Sequence, residues 1–165
     1  MPSAKRSRAL AADRRSVWRV VSDPYQFPRW WPKVSRVEAV HERKRGAGTQ
    51  WTKVLTTSAG KGVRADFRCL YSRENEAYAW EQEIAGSPFE KVLRSSVVKL
   101  ELSDADGGTL VTLQQEQRLR GLSRFGGFML RRATAGQLEE ALEGLDEITA
   151  PEDGDEPSHP GLGDD

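Results

Sequence analysis

Few side chains in this sequence could drive bond-making chemistry. Only two histidines occur among 165 residues, His41 and His159. His159 lies in a proline-, glycine- and acid-rich segment, and His41 falls beside a turn, so both read as surface residues. The single cysteine, Cys69, sits on the apolar side of an alternating run, where an inert buried thiol is expected rather than a nucleophile. One cysteine excludes an intramolecular disulfide and a cysteine-rich zinc site, and neither a metal nor a cofactor is expected. No Gly-x-Ser-x-Gly, His-Glu-x-x-His, P-loop or Gly-x-Gly-x-x-Gly pattern occurs. What remains is a set of polar residues on faces that are otherwise aromatic. Gln82, Arg94, Ser96, Gln115 and Gln117 fall in phase with Phe67, Tyr71, Tyr78 and Trp80, with Trp51 as a further aromatic candidate. An unpaired buried polar group costs about 1–3 kcal/mol, so these side chains are poor choices for a filled core. They suit the wall of a pocket, where a large apolar surface and a few donors orient an amphipathic guest.

The elements that would hold such a wall are legible from periodicity. Lys5–Ala12 is a short basic segment that could form an edge strand. Asp13 suits the N-cap of a helix carrying Val17, Trp18, Val20 and Val21, which must end near Asp23 because Pro24 follows. The next nine residues, from Pro24 to Pro32, hold three prolines and four aromatics, which fits one short helical turn pinned against a core. Alternation of period two then predicts six strands joined by short turns: Val34–Glu42, Thr49–Thr57, Val63–Ser72, Tyr78–Ile84, Val92–Leu102 and Val111–Leu119. Gly46-Ala47-Gly48, Gly60-Lys61-Gly62, Glu74-Asn75-Glu76, Gly86-Ser87-Pro88 and Asp104–Gly108 supply the breaks. One-sided alternation of this kind marks an antiparallel meander with one wet face. From Leu122 to Ile148 the period returns to helical, with Phe128, Ala135, Leu138, Leu142 and Leu145 on one stripe.

Geometry then suggests a hollow. One helix is about 10–12 Å wide, whereas six or seven strands at about 4.8 Å spacing span roughly 30 Å, so the sheet must curl around the helix. Ala133-Thr134-Ala135-Gly136 and Gly144 keep bulk off that helix. Two readings account for them: space left for a guest, or close packing of helix on sheet.

Composition and charge narrow the class. Hydrophobic residues make up 37% and charged residues 30%, and no apolar run is long enough to span a bilayer. The basic N-terminus lacks the apolar stretch of a signal peptide, so a cytoplasmic monomer or homodimer is expected. The net charge of zero is uneven: Glu152–Asp165 carries six acids and no base, whereas Met1–Arg45 has 12 basic and four acidic residues. The expectation is a folded domain over 4–149 and a disordered acidic tail over 150–165. Because the basic residues are dispersed, nucleic acid is not expected as a partner.

The run Val17-Trp18-Arg19-Val20-Val21-Ser22-Asp23-Pro24-Tyr25-Gln26-Phe27-Pro28-Arg29-Trp30-Trp31-Pro32 resembles the opening signature of the START-like, Bet v 1-like (SRPBCC) superfamily. More narrowly it looks like the polyketide cyclase/dehydrase and lipid-transport proteins. Gly107-Gly108-Thr109 before a strand, followed by a long C-terminal helix, fits the same pattern. The resemblance implies an α+β helix-grip fold: a curved antiparallel sheet of six to seven strands around a long C-terminal helix, with two short helices after strand 1. It also implies an internal cavity and a carrier or sensor of a small hydrophobic molecule such as a lipid, quinone or polyketide-like compound. The pocket residues expected are Trp31, Trp51, Phe67, Cys69, Tyr78 and Trp80. Gln82, Arg94, Gln115 and Gln117 would add polar contacts, and Phe128 and Ala135 would come from the long helix. An aromatase/cyclase or dehydratase is the alternative, with Arg94 and Tyr78 polarising a carbonyl and Gln115 or Gln117 holding an enol oxygen. A third reading is a surface-mediated ribosome or regulator partner contacted through Arg120, Arg124, Arg131 and Arg132.

Overall fold

The computed structural model describes residues 3–121 and 124–151, without the side chains of Arg124 and Phe125. Strand β1 (Ser3–Leu10) leads into helix α1 (Arg14–Val21), a 3-10 turn at Pro24–Gln26 and the short helix α2 (Phe27–Trp30). Six strands follow: β2 (Val34–His41), β3 (Gln50–Thr56), β4 (Gly62–Arg73), β5 (Ala77–Glu83), β6 (Leu93–Ala105) and β7 (Gly108–Leu119). Helix α3 (Arg124–Thr149) closes the described chain. The strands form one curved sheet in the order β1-β7-β6-β5-β4-β3-β2, every neighbouring pair antiparallel, so the chain is a helix-grip fold. The expected edge segment is therefore a full strand. The expected acidic tail lies, beyond Pro151, outside the described residues, as does His159.

Local chemistry accounts for the element boundaries. Asp13 caps α1 by accepting a hydrogen bond from the Ser16 backbone N–H at 2.7 Å. That bond holds the Asp13 carboxyl below its ordinary pKa. Asp23 repeats the device, accepting from Tyr25 N–H at 3.0 Å, and Pro24 occupies the first position of the 3-10 turn. At Gly108 the chain leaves no room for a side chain, because a β-carbon there would lie 1.9 Å from the Leu10 carbonyl oxygen. This close approach seats the end of β1 against the start of β7.

The sheet's inner face carries the core. Leu100, Val111 and Leu113 are fully buried there, against Val17 and Val21 of α1 and Leu138, Ala141 and Leu145 of α3. The long helix is not the only cover. Phe27, Trp30 and Trp31 from the α2 region plug one end of the grip, where Phe27 touches Trp51 and Trp80 at ring-centroid distances of 5.7 and 5.1 Å. The interior is thus more filled than the width of a lone helix suggests.

Two bulges reset the alternation that the sequence displays. Cys69 pairs with Trp80 but Tyr71 with Ala79, so Leu70 is an extra residue and Tyr71 turns to the outer face beneath Arg73. Likewise Leu93 pairs with Leu119 and Ser95 with Arg118, which makes Arg94 the extra residue. Counting back by twos from Ser96 puts Arg94 inside; the bulge instead buries Leu93 and leaves Arg94 exposed.

Candidate functional site

The inner face assembles in cross-strand rows. One row runs Cys69–Trp80–Val98–Gln115–Ala4 across five strands, and beside it run Trp51–Phe67–Gln82 and Ser96–Gln117. Side chains opposite one another in such a sheet are in contact range. Beside the aromatic plug they line a cavity of about 170 Å³. Its wall includes Trp31, Phe67, Trp80 and Val98 as apolar surface, with Ser96, Gln82, Gln115 and Gln117 from the strands and Gln137 from α3 as polar points. Phe89, from the 3-10 turn at Pro88–Lys91, and Leu93 close the far side. Gln117 and Gln137 also line a second, outer hollow of about 350 Å³ bounded by Pro32, Leu130 and Thr134. These two amides therefore stand between the inner cavity and the outer one.

Hydrogen bonding in the wall is incomplete. Gln115 is 6% exposed, donates weakly through Nε2 to Ser96 Oγ at 3.4 Å, and has a buried Oε1 with no partner. Gln82 Nε2 is likewise buried and unpartnered. Gln117 accepts from Thr134 Oγ1 at 3.2 Å, which ties β7 to α3 at the boundary. Unfilled polar valence thus stands beside the rings of this wall.

Of the pocket residues expected from sequence, six gather around this cavity: Trp31, Phe67, Trp80, Gln82, Gln115 and Gln117. Trp51, Cys69 and Tyr78 point inward but are packed solid beneath it. Trp51 stacks between Phe27 and Phe67, Tyr78 contacts Trp51, and the Cys69 thiol donates to the Tyr71 carbonyl at 3.4 Å. Burial pushes the Cys69 thiol up to about 11 and raises Tyr78 as well, so neither ionises near neutral pH. Arg94 lies outside because of the bulge. Phe128 and Ala135 also fall away from the cavity: they line an open groove between α3 and β1, and Phe128 is 53% exposed. Residues seven apart share one side of a helix, so both miss together. The helix is rotated so that Gln137 meets the cavity instead. Arg120, Arg131 and Arg132 are exposed, and the Arg124 side chain is outside the described residues.

The residue that sequence reasoning passed over is Lys53. It lies on β3 between Trp51 and Leu55 and is only 1% exposed. Its Nζ sits 3.9 Å from the Phe27 ring centroid, 4.5 Å from Phe67, 4.8 Å from Trp31 and 5.2 Å from Trp80, and it forms part of the cavity wall. No acidic side chain lines the cavity among the described residues, and burial drives the amine well below the usual lysine range. The signal was present in the two-residue spacing from Trp51 to Lys53 to Leu55. A lysine is so seldom buried that the spacing alone did not outweigh residue type.

Residues 1–148 match the sequence profile of the family described as polyketide cyclase/dehydrase and lipid transport. The chain belongs to that family. No curated protein matches this family member by sequence. Among solved structures it is similar to the di-domain ARO/CYC StfQ from the steffimycin biosynthetic pathway, at 13% identity and a TM-score of 0.75. That match covers 90% of this chain and 50% of the other, so this chain spans half the length of the di-domain protein. A START superfamily protein from Mycobacterium smegmatis is similar at 14% identity and a TM-score of 0.72, over 89% of this chain and 96% of that one. TTHA0849 from Thermus thermophilus is 22% identical with a TM-score of 0.69, over 90% and 97% of the two chains. What this family member shares with them is the fold.

Proposed function

We propose that this protein binds a small hydrophobic molecule (lipid, quinone or polyketide-like) in the internal cavity, as a carrier or sensor. The observation that carries this reading is the cavity wall itself, where unpartnered Gln82 and Gln115 amides are set among Trp31, Phe67 and Trp80. Burial of the ligand's apolar surface at roughly 25 cal/mol per Å² supplies the affinity, and the amides set its orientation. An apolar cavity of about 150 Å³ holds a benzene ring in another protein, so a hollow of about 170 Å³ takes one ring or a short chain end. A longer guest extends past Gln117 and Gln137 into the outer hollow.

Of the side chains that sequence suggested for the cyclase alternative, Arg94 is exposed and Tyr78 is packed beneath the cavity, whereas Gln115 and Gln117 line it. Titration of tryptophan fluorescence with lipids, quinones and aromatic polyketides tests the binding reading, because Trp31 and Trp80 line the wall. A saturable change, retained in Arg94→Ala and weakened in Gln115→Leu, is expected. The absence of a saturable response to every compound would overturn it.

A further inference from the structure

Lys53 is a costly residue with no visible structural return. Its amine has four rings around it and no carboxylate among the described residues, and the groups sharing its cavity are neutral amides, a serine and apolar side chains. A buried ammonium needs a counter-charge, and since none is supplied among the described residues, the cavity is where one would sit. Resting on the reading of that cavity as a ligand site, we propose that its ligand carries an acidic group (a carboxylic acid, phenol or enol) whose anion pairs with the Lys53 ammonium.

The chemistry is proton transfer alone. A neutral acid entering the cavity gives its proton from oxygen to Nζ, so that an O–H bond breaks, an N–H bond forms and an ion pair is left. A ligand already ionised in water is joined by one proton taken from solvent. The unpartnered Gln82 Nε2 offers a further donor to the anion, and the unpartnered Gln115 Oε1 accepts from any hydroxyl the ligand also bears. The same ring cage leaves no room for a cationic ligand, because Lys53 already occupies it. Imine formation with an aldehyde is disfavoured, since among the described residues no acid or base besides Lys53 lines the cavity to carry the proton that loss of water requires.

The test compares isosteric probes differing only in acidity: benzoate against benzamide, and hexanoate against hexanamide. At pH 7 the acid of each pair should bind the wild-type protein about tenfold or more tightly than the amide, equivalent to about 1.4 kcal/mol. In Lys53→Met the preference should vanish while the amides still bind. In protein labelled with ¹⁵N-lysine, benzoate but not benzamide should move the Lys53 Nζ resonance towards the ammonium position; this readout decides if the variant does not fold. Equal affinity for acid and amide, or a preference that survives in Lys53→Met, overturns the proposal and leaves the cavity reading standing. If no probe and no larger hydrophobic compound binds, both fall together.

Discussion

Replacing Lys53 by methionine sets two opposing terms against each other. Four aromatic faces lie within 3.9–5.2 Å of Nζ, and a cation over a ring is worth about 0.5–2 kcal/mol, more when desolvated. Against this stands the loss of water around an ion 1% exposed, an effective penalty of several kcal/mol with no opposite charge among the described cavity residues to offset it. Desolvation wins, and burial drives the pKa of the amine in the fold well below its value in the unfolded chain. Between those two values the unfolded state holds one more proton than the folded state, so native stability rises with pH by about 1.4 kcal/mol per unit. Methionine fills much the same space without the proton. Lys53→Met should therefore be more stable than wild type at pH 7, by about 1–4 kcal/mol on the precedent of buried charges replaced by apolar groups. Its advantage should shrink as pH rises between the folded-state and unfolded-state values, because the wild type gains stability there and the variant does not. Cys69 and Tyr78, whose folded forms are held protonated, titrate alike in both proteins and cancel in the comparison. Thermal unfolding of the two proteins at pH 7.0, 7.75 and 8.5 provides the measurement. A variant less stable than wild type by an amount independent of pH would refute the reasoning, because it would mean that the rings hold Lys53 charged.

Two glycines of α3 should respond in opposite directions to alanine. A β-carbon at Gly144 would lie 2.7 Å from the Trp30 carbonyl oxygen and 3.1 Å from its Cα, whereas at Gly136 it would meet nothing within 4 Å. Gly144→Ala should lose about 1–3 kcal/mol in denaturant unfolding despite better helix propensity, and Gly136→Ala should gain about 0.5–1 kcal/mol; shifts of the same sign would contradict the packing described. Cys69, buried and with its thiol raised to about 11, should resist a thiol-specific reagent at pH 8 in the native protein and react fully on unfolding. Prompt stoichiometric labelling of the folded protein would show the site to be open.

Features governed by near neighbours were readable from the chain. The Asp13 cap, the proline-bounded turn after Asp23 and the period-two runs of β4 to β7 depend on residues a few positions apart, and each gave an element of the expected type. The family signature around Trp18–Trp31 added the order in which those elements pack. Five of the six expected residues that line the cavity followed from the same alternation, because parity carries a side chain to the inner face wherever a strand is regular; the sixth, Trp31, lies outside the strands. Gln82, Gln115 and Gln117 are cases where that held.

Tertiary structure settled what parity cannot carry. A single extra residue at Leu70 and another at Arg94 reversed the facing of everything counted through them, and a bulge is defined by the partner strand rather than by its own sequence. The rotation of α3 about its axis, which brings Gln137 to the cavity and turns Ala135 towards β1, is fixed by contacts such as Gly144 on Trp30 across more than a hundred residues of chain. Of the small residues of that helix, Gly144 serves close packing against Trp30, and Gly136 faces the outer hollows rather than the inner cavity. Lys53 shows the same limit most plainly. Its place between Trp51 and Leu55 is written in the sequence, but that its amine would meet four rings from three separate parts of the chain is a property of the fold alone.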